Sequence, residues 1–260
     1  MDIWAFWEPE ATMPPYLRLC VETWRQIPGA DIHLLNYRNL WKYIDVDAYG
    51  PNLFSGGYKM AQVGDAIRAM LLEKYGGVWL DVDTMVLNPE VVKYLSPEKD
   101  IRMFGNVEKK SCHIGCIIVK RPGTACMINW VAYNKFRTWN ISPGEPITWG
   151  RLGGDFLEPY VYSHPQEVEI LDWHLVHPDE QLKRAETERY KTVYKDYFFK
   201  ESHHLADIQK DMIILNNTWT PLVYKSLRLE DMLCIDCTVT NLLIEVLNIK
   251  CPKPSLKITR

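Results

Sequence analysis

No stretch of this 260-residue chain approaches the roughly 18 consecutive apolar residues that a membrane-spanning helix needs, so no segment reads as a bilayer crossing. Nor is there an excess of positive charge: 30 basic and 33 acidic side chains leave a formal charge of −3, without the basic field that nucleic-acid proteins carry. Nucleic acid is therefore not an expected partner. Internal repeats and low-complexity segments are absent. The opening MDIWAFWEPE has no basic region followed by an apolar run, and the seven cysteines are an odd number, scattered at 20, 112, 116, 126, 234, 237 and 251. These features predict a reducing, cytoplasmic setting.

What is present is apolar material for a full core, 47% of the residues, and a high aromatic load of ten Trp and 14 Tyr, whose rings can pack a core or stack on bases and sugars. The run IWAFW ends at Glu8-Pro9 and predicts a buried first strand with Trp7 at its mouth. YLRLCVETWRQ, following Pro14-Pro15, has helical spacing, and Pro28-Gly29 precedes the strand-like DIHLLN. Residues 59–75 predict an amphipathic helix closed by Gly76-Gly77, and VWLDVDTMVL predicts a buried strand interrupted by two acids. MFGNV, HIGCIIV, EVEILDW and DMIILN predict further strands, and PGTACMINWVAYNKF another helix. The polar region 178–211 predicts a helix or a loop. Strands alternating with helices imply an α/β sheet.

Asp81 and Asp83 carry the chemistry. Placed two residues apart on a strand end, their side chains share a side, and two carboxylates that close repel each other. A divalent cation resolves that repulsion, and oxygen ligands alone favour Mn²⁺ or Mg²⁺ with open positions for diphosphate oxygens. A bare Asp-X-Asp by itself favours two solvated acids in a turn, so the surrounding run decides. That run is GDAIRAMLLEKYGGVWLDVD, with Asp65 and Arg68 three apart on one helix face, then Tyr-Gly-Gly, then the diacid.

This pattern of about 30 residues resembles the sugar-binding region of the family-32 glycosyltransferases and their capsular polysaccharide synthesis relatives, and of the clostridial glucosylating toxins. The resemblance implies a GT-A fold, a nucleotide-binding sandwich with a mixed, mainly parallel central sheet flanked by helices. It implies a retaining, metal-dependent transfer of a hexose from a UDP-sugar to a saccharide acceptor, one carried on a lipid in capsule or cell-surface polysaccharide synthesis. By the same resemblance, Trp7 with the backbone of Ala5 and Phe6 holds the donor base. Asp65 and Arg68 hold the donor sugar and diphosphate, Trp79 lines the donor, Asp81 meets ribose and the metal's water shell, and Asp83 ligates the metal. The late segment IILNNTW has Ile213 where the family commonly has His, which leaves Asn216 or Asn217 as a further metal ligand and Trp219 to close over the phosphates. Asn-Asn-Thr is equally suited to a turn. Metal and Arg68 would stabilise the leaving diphosphate. Asp155, in LGGDFL, is a candidate for positioning the acceptor or, alternatively, a helix N-cap.

Other constellations remain open from the residues alone. Cys112, His113 and Cys116 with Cys234 and Cys237 could form a zinc site or sit as buried thiols, and His203-His204 could bind metal or belong to a polar loop. The expected division is a glycosyltransferase domain over 1–220 and a helical extension with a basic tail over 221–260. There Val239, Leu242, Leu243, Val246 and Leu247 share a helix face that could rest on an anionic membrane or pack on the domain. Two rival functions are a haloacid-dehalogenase-type phosphotransferase attacking through Asp81 with Asp83 as acid, and a sugar-binding module without catalysis.

Overall fold

The computed structural model describes residues 1–55, 57–142, 145–177 and 187–250. In chain order its strands are β1 (Asp2–Phe6), β2 (Asp31–Leu35), β3 (Gly77–Leu80), β4 (Thr84–Val86), β5 (Ile101–Asn106), β6 (Ser111–Val119), β7 (Val168–Asp172) and β8 (Met212–Ile214). The longer helices are α1 (Pro15–Thr23), α2 (Met60–Tyr75), α3 (Ala125–Trp139), α4 (Gly154–Ser163), α5 (Thr187–Phe199) and α6 (Thr238–Val246). The chain divides into two compact units. One comprises Met1–Ala11, Asp31–Asp81 and Tyr94–Trp173; the other comprises Thr12–Ala30, Val82–Lys93 and the chain from His174 onward.

The first unit is built on a six-stranded sheet of order β2-β1-β3-β6-β5-β7. β1 runs parallel to β2 and β3, β6 runs antiparallel to β3 and β5, and β7 is parallel to β5. This is an α/β sheet, as the alternation of elements predicted, and a mixed, mainly parallel one with flanking helices, as the resemblance implied. β1 is apolar at every position after Asp2 because it lies inside the sheet: Ile3, Trp4 and Ala5 are buried. α2 ends at Gly76, with φ 67°, followed by Gly77 with φ 86°. A Cβ on Gly77 would stand 2.6 Å from the Asp2 carbonyl oxygen, so a side chain there would push β3 off β1.

VWLDVDTMVL does not form one strand. β3 stops at Leu80, Val82-Asp83 turn, and β4 begins at Thr84 in a separate two-stranded sheet. Both halves are apolar and buried, so hydrophobicity alone carries no sign of the break between them.

In the second unit β4 pairs antiparallel with β8, Met85 opposite Ile213. α1 is strapped to β4 by polar bonds: the Trp24 indole donates to Thr84 O at 2.8 Å, and the Val86 N–H donates to Thr23 Oγ1 at 2.9 Å. Ile213 is fully buried within that ladder, which gives a physical reason for an apolar side chain at the position. Region 187–199 is the helix α5, while residues 178–186 lie outside the described residues. Val239, Leu242 and Leu243 of α6 are fully buried inside the unit, so that much of the apolar face weighed for a membrane is already covered. The tail 251–260 lies outside the described residues. Among the described residues no helix is long and apolar enough to cross a membrane.

Candidate functional site

In the first unit, α2 turns Asp65 and Arg68 inward, one helical turn apart. Both are almost fully buried, at 6% and 4% exposure, which is rare for charged residues unless they are paired. Arg68 is the hub. Its Nη2 donates to Asp81 Oδ1 at 2.8 Å, its Nη1 donates to the Ile114 carbonyl oxygen on β6, and Asp65 Oδ1 lies 3.6 Å from Nη1. The guanidinium carbon lies 4.6 Å from the centre of the Trp79 ring, and the Trp79 indole N–H donates to the same Asp81 oxygen at 2.7 Å. Thus Asp65, Arg68, Trp79 and Asp81, all assigned to the donor by resemblance, form one cluster. The i,i+3 pair on α2 is not a surface ion pair.

Burial raises the Asp65 carboxyl to about 7, with Arg68 opposing the shift and Asp81 adding to it. His113 completes the cluster. Its Nδ1 accepts the Gly115 N–H at 3.1 Å, which leaves the proton on Nε2, and burial holds the imidazole below its ordinary pKa although the Asp81 charge pulls it upward. A Cβ on Gly115 would stand 2.5 Å from His113 Cε1 and 2.7 Å from Asp81 Oδ2, so the absence of a side chain makes room for both groups.

In the second unit, Asp83 sits in different surroundings. Its Oδ2 accepts the Asn217 N–H at 2.7 Å, and its main-chain carbonyl accepts the Leu215 N–H at 3.0 Å. The Asn217 side-chain Oδ1 accepts the Tyr16 hydroxyl at 2.5 Å. The Asn216 N–H donates to Tyr194 Oη at 2.8 Å. The Asp83 charge is felt through this unit: burial first, and Asp83 second or third, push the Cys20 thiol and the Tyr16 and Tyr194 phenols far above their ordinary values. It also opposes the lowering that burial imposes on Lys225.

The remaining predicted residues fall into place individually. Ala5 and Phe6 are buried in β1, and the Trp7 N–H continues the ladder to Leu35 O at 2.9 Å. The Trp7 indole nitrogen and Arg68 Nε are buried without a hydrogen-bond partner among the described residues. Trp219 packs edge-on against Tyr190 and Tyr194 at 5.2 and 5.5 Å, and Asn216 and Asn217 open the turn that leads to it. Asp155 is not an N-cap. That position is Gly153, and Asp155 instead accepts the Thr148 hydroxyl at 2.8 Å from the first turn of α4.

The metal-like groupings weighed from sequence resolve otherwise. Among the described residues the one trio of potential ligand side chains close enough to share an ion is Asp2, Asp31 and His33, at the starts of β1 and β2 and so at the far end of those strands from Trp7. His33 Nε2 donates to Asp2 Oδ1 at 2.9 Å and stacks on Trp4 at 4.2 Å, contacts that account for it structurally. The cysteines at 112, 116, 234 and 237 are free thiols and enter no such group. His203 and His204 bind Glu201 and Glu245 respectively.

His113, Tyr16 and Tyr194 were not assigned to the diacid from sequence. Tyr16 and Asn217 are 201 residues apart, and no local pattern joins them.

Residues 1–118 match the family described as capsular polysaccharide synthesis proteins. The chain is 28% identical over 144 residues to the O-glycosyltransferase braB of Annulohypoxylon truncatum, covering 49% of this chain and 32% of that protein. It is 35% identical over 98 residues to the probable glycosyltransferase FCK3 of Fusarium pseudograminearum strain CS3096, covering 33% of this chain and 25% of that protein. It thus spans about a third or less of the curated relatives it matches. Among solved structures, the PaToxG glycosyltransferase overlaps 63% of this chain and 68% of its own, at 14% identity and a TM-score of 0.45. The matched residues 1–118 contain Asp65, Arg68, Trp79, Asp81 and Asp83, and the match is to the family that the motif resembles.

Proposed function

We propose that the chain is a glycosyltransferase that takes a hexose from a UDP-sugar and passes it, with retention of configuration, to a hydroxyl of a saccharide acceptor. The observation that carries this reading is the Arg68 cluster. A buried guanidinium gathers Asp65, Trp79 and Asp81 from α2 and from the end of β3, and its own Nε remains an unsatisfied donor. A buried donor left unmade costs about 1–3 kcal/mol, and a pyrophosphate oxygen or sugar hydroxyl would recover it. The unsatisfied Trp7 indole nitrogen supports a base or ribose contact in the same way.

The donor set fits a divalent cation. In the second unit the Asp83 carboxylate and the Asn217 side chain belong to residues joined by the Asn217 N–H on Asp83 Oδ2, so a carboxylate and an amide oxygen are both at hand. Carboxylate and amide oxygens are the hard ligands that Mn²⁺ and Mg²⁺ take. When bound, such an ion neutralises charge on the leaving diphosphate. Arg68 would orient that diphosphate, Asp65 the sugar hydroxyls, and Trp79 would wall the donor. A phosphotransferase attacking through Asp81 fits less well, because its Oδ1 already accepts two hydrogen bonds.

The acceptor class, a polysaccharide repeat on a lipid carrier, is supported by the family match over residues 1–118, and the hydroxyl by the likeness to the O-glycosyltransferase braB. Mn²⁺ is the preferred ion, and the reducing compartment is cytoplasmic. A peripheral membrane contact would fall to the basic tail.

The test is thermal stabilisation by UDP with and without Mn²⁺, followed by donor hydrolysis across a panel of UDP-hexoses. Stabilisation that requires both UDP and Mn²⁺, with hydrolysis of at least one donor, is the expected result. Phosphate release from small phosphomonoesters with no response to UDP would replace this function with the phosphotransferase.

A further inference from the structure

Tyr16 belongs to none of the roles above, yet it anchors the surroundings of Asp83. It is fully buried on α1, and its hydroxyl donates to Asn217 Oδ1 at 2.5 Å with Thr220 Oγ1 also within reach at 3.3 Å. Asn217 passes the constraint on: its main-chain N–H donates to Asp83 Oδ2 at 2.7 Å. The peptide on either side is held as well, Leu215 N–H on Asp83 O at 3.0 Å and Asn216 N–H on Tyr194 Oη at 2.8 Å. Both the amide oxygen and the carboxylate that could meet a cation therefore have their orientation set by a chain of hydrogen bonds that starts at one phenol.

The chemistry of that chain is specific. An amide oxygen has two lone pairs, so a bond from Tyr16 aims the group and leaves the second pair for another partner. A phenol hydroxyl aims it as a hydrogen-bond donor without adding a charge of its own. Outer partners of this kind typically tune metal affinity by about 10–100-fold.

We infer that Tyr16 is a positioning residue for divalent-cation binding at Asp83, acting through Asn217, which makes Asn217 rather than Asn216 the side chain that accompanies Asp83. This rests on the metal-dependent function proposed above and adds to it which residues outside the Asp-X-Asp motif set the ion's affinity.

The test is Mn²⁺ binding followed by electron paramagnetic resonance of the free ion, alone and with UDP, for wild type, Tyr16→Phe, Asn217→Ala, the double variant and Asp83→Ala. Circular dichroism melting checks that each is folded. The expected result is about 10-fold or more weaker Mn²⁺ binding by Tyr16→Phe, no further loss when Tyr16→Phe is added to Asn217→Ala, and no detectable binding by Asp83→Ala. Donor hydrolysis by Tyr16→Phe should return to the wild-type rate at saturating Mn²⁺, a rescue that general loosening of α1 would not give. Wild-type affinity in folded Tyr16→Phe, beside lost binding in Asp83→Ala, overturns the inference and leaves the metal-dependent function standing. Additive losses in the double variant overturn it too. Absence of Mn²⁺ binding by the wild type, with and without UDP, removes the metal-dependent function and this inference together.

Discussion

Asp81 and Asp83 are separated by one residue in the chain and by the nature of what holds them. Asp81 is gripped by a buried cation: Arg68 and the Trp79 indole both donate to its Oδ1. Asp83 accepts a main-chain N–H from Asn217, whose side-chain oxygen in turn accepts a phenol. The first acid is thus part of a buried ion-pair network, whereas the second is tied to the turn that begins at Asn216 and Asn217. The difference teaches that two residues of one motif can be held by different means; under the function proposed above, Asp81 would serve structure and donor orientation and Asp83 cation binding. The sharpest break of this comparison is Asp83→Ala. It should lower Mn²⁺-dependent donor hydrolysis by about 10²-fold or more, while urea unfolding stays within about 1 kcal/mol of wild type. Full hydrolysis in that variant would end the assignment.

Arg68→Ala should do the reverse. Removing a buried guanidinium leaves Asp65 and Asp81 uncompensated and the Ile114 carbonyl without its donor, a class of change that costs about 3–5 kcal/mol. Urea unfolding without added metal or nucleotide measures it. Arg68→Lys should recover only part of the loss, because an ammonium cannot reach three acceptors in the plane a guanidinium fork spans. If Arg68→Ala were as stable as Asp83→Ala, the asymmetry between the acids would be false.

Much of this was legible in the residues, and what was not has a physical explanation. Period-3.6 spacing placed α2, the Gly76-Gly77 pair placed its end, and apolar runs placed β1 and β6, since each signal is local. The i,i+3 spacing of Asp65 and Arg68 indicated a shared face but not its direction, and a solvated ion pair would have the same spacing. The break after Leu80 was hidden because both flanking strands are buried and apolar, and the two acids between them fit an interruption within one strand as well as a break between two. His113 was visible only as a neighbour of Cys112. Its place beside Asp81 comes from the pairing of β3 with β6, where Leu80 stands opposite Cys116. Tyr16 and Asn217 are joined by tertiary structure alone.

Asp65 sharpens the comparison through pH. Its folded-state carboxyl titrates at about 7, raised by burial against the pull of Arg68, while the unfolded chain releases that proton near 4. Between those values the folded protein holds the proton and the unfolded chain does not, so stability falls as pH rises from about 4 to about 7 and levels off above. A shift of about three units sets an upper bound of about 4 kcal/mol on that decline. Asp65→Asn should flatten this part of the profile in urea titrations from pH 4.5 to 8.5. A wild-type curve that rises through the same window would mean that the ion pair with Arg68 dominates over burial.

The smallest expected effect isolates space around the first acid from every charge near it. Gly115→Ala adds one methyl group where His113 Cε1 and Asp81 Oδ2 would lie 2.5 and 2.7 Å from it, so the imidazole or the carboxylate must shift. Overpacking of this kind costs about 1–3 kcal/mol. Gly64→Ala is the control, since nothing lies within 4 Å of its Cβ and the position is inside α2. There the same substitution should be neutral or stabilise by up to about 1 kcal/mol through helix propensity. Opposite signs in chemical denaturation, with donor hydrolysis lowered only by Gly115→Ala, would tie the position of Asp81 to the small residue facing it on β6. Equal effects at the two glycines would mean that β6 yields to the methyl group without moving the Asp81 carboxylate, and that its place is set by Arg68 and Trp79 alone.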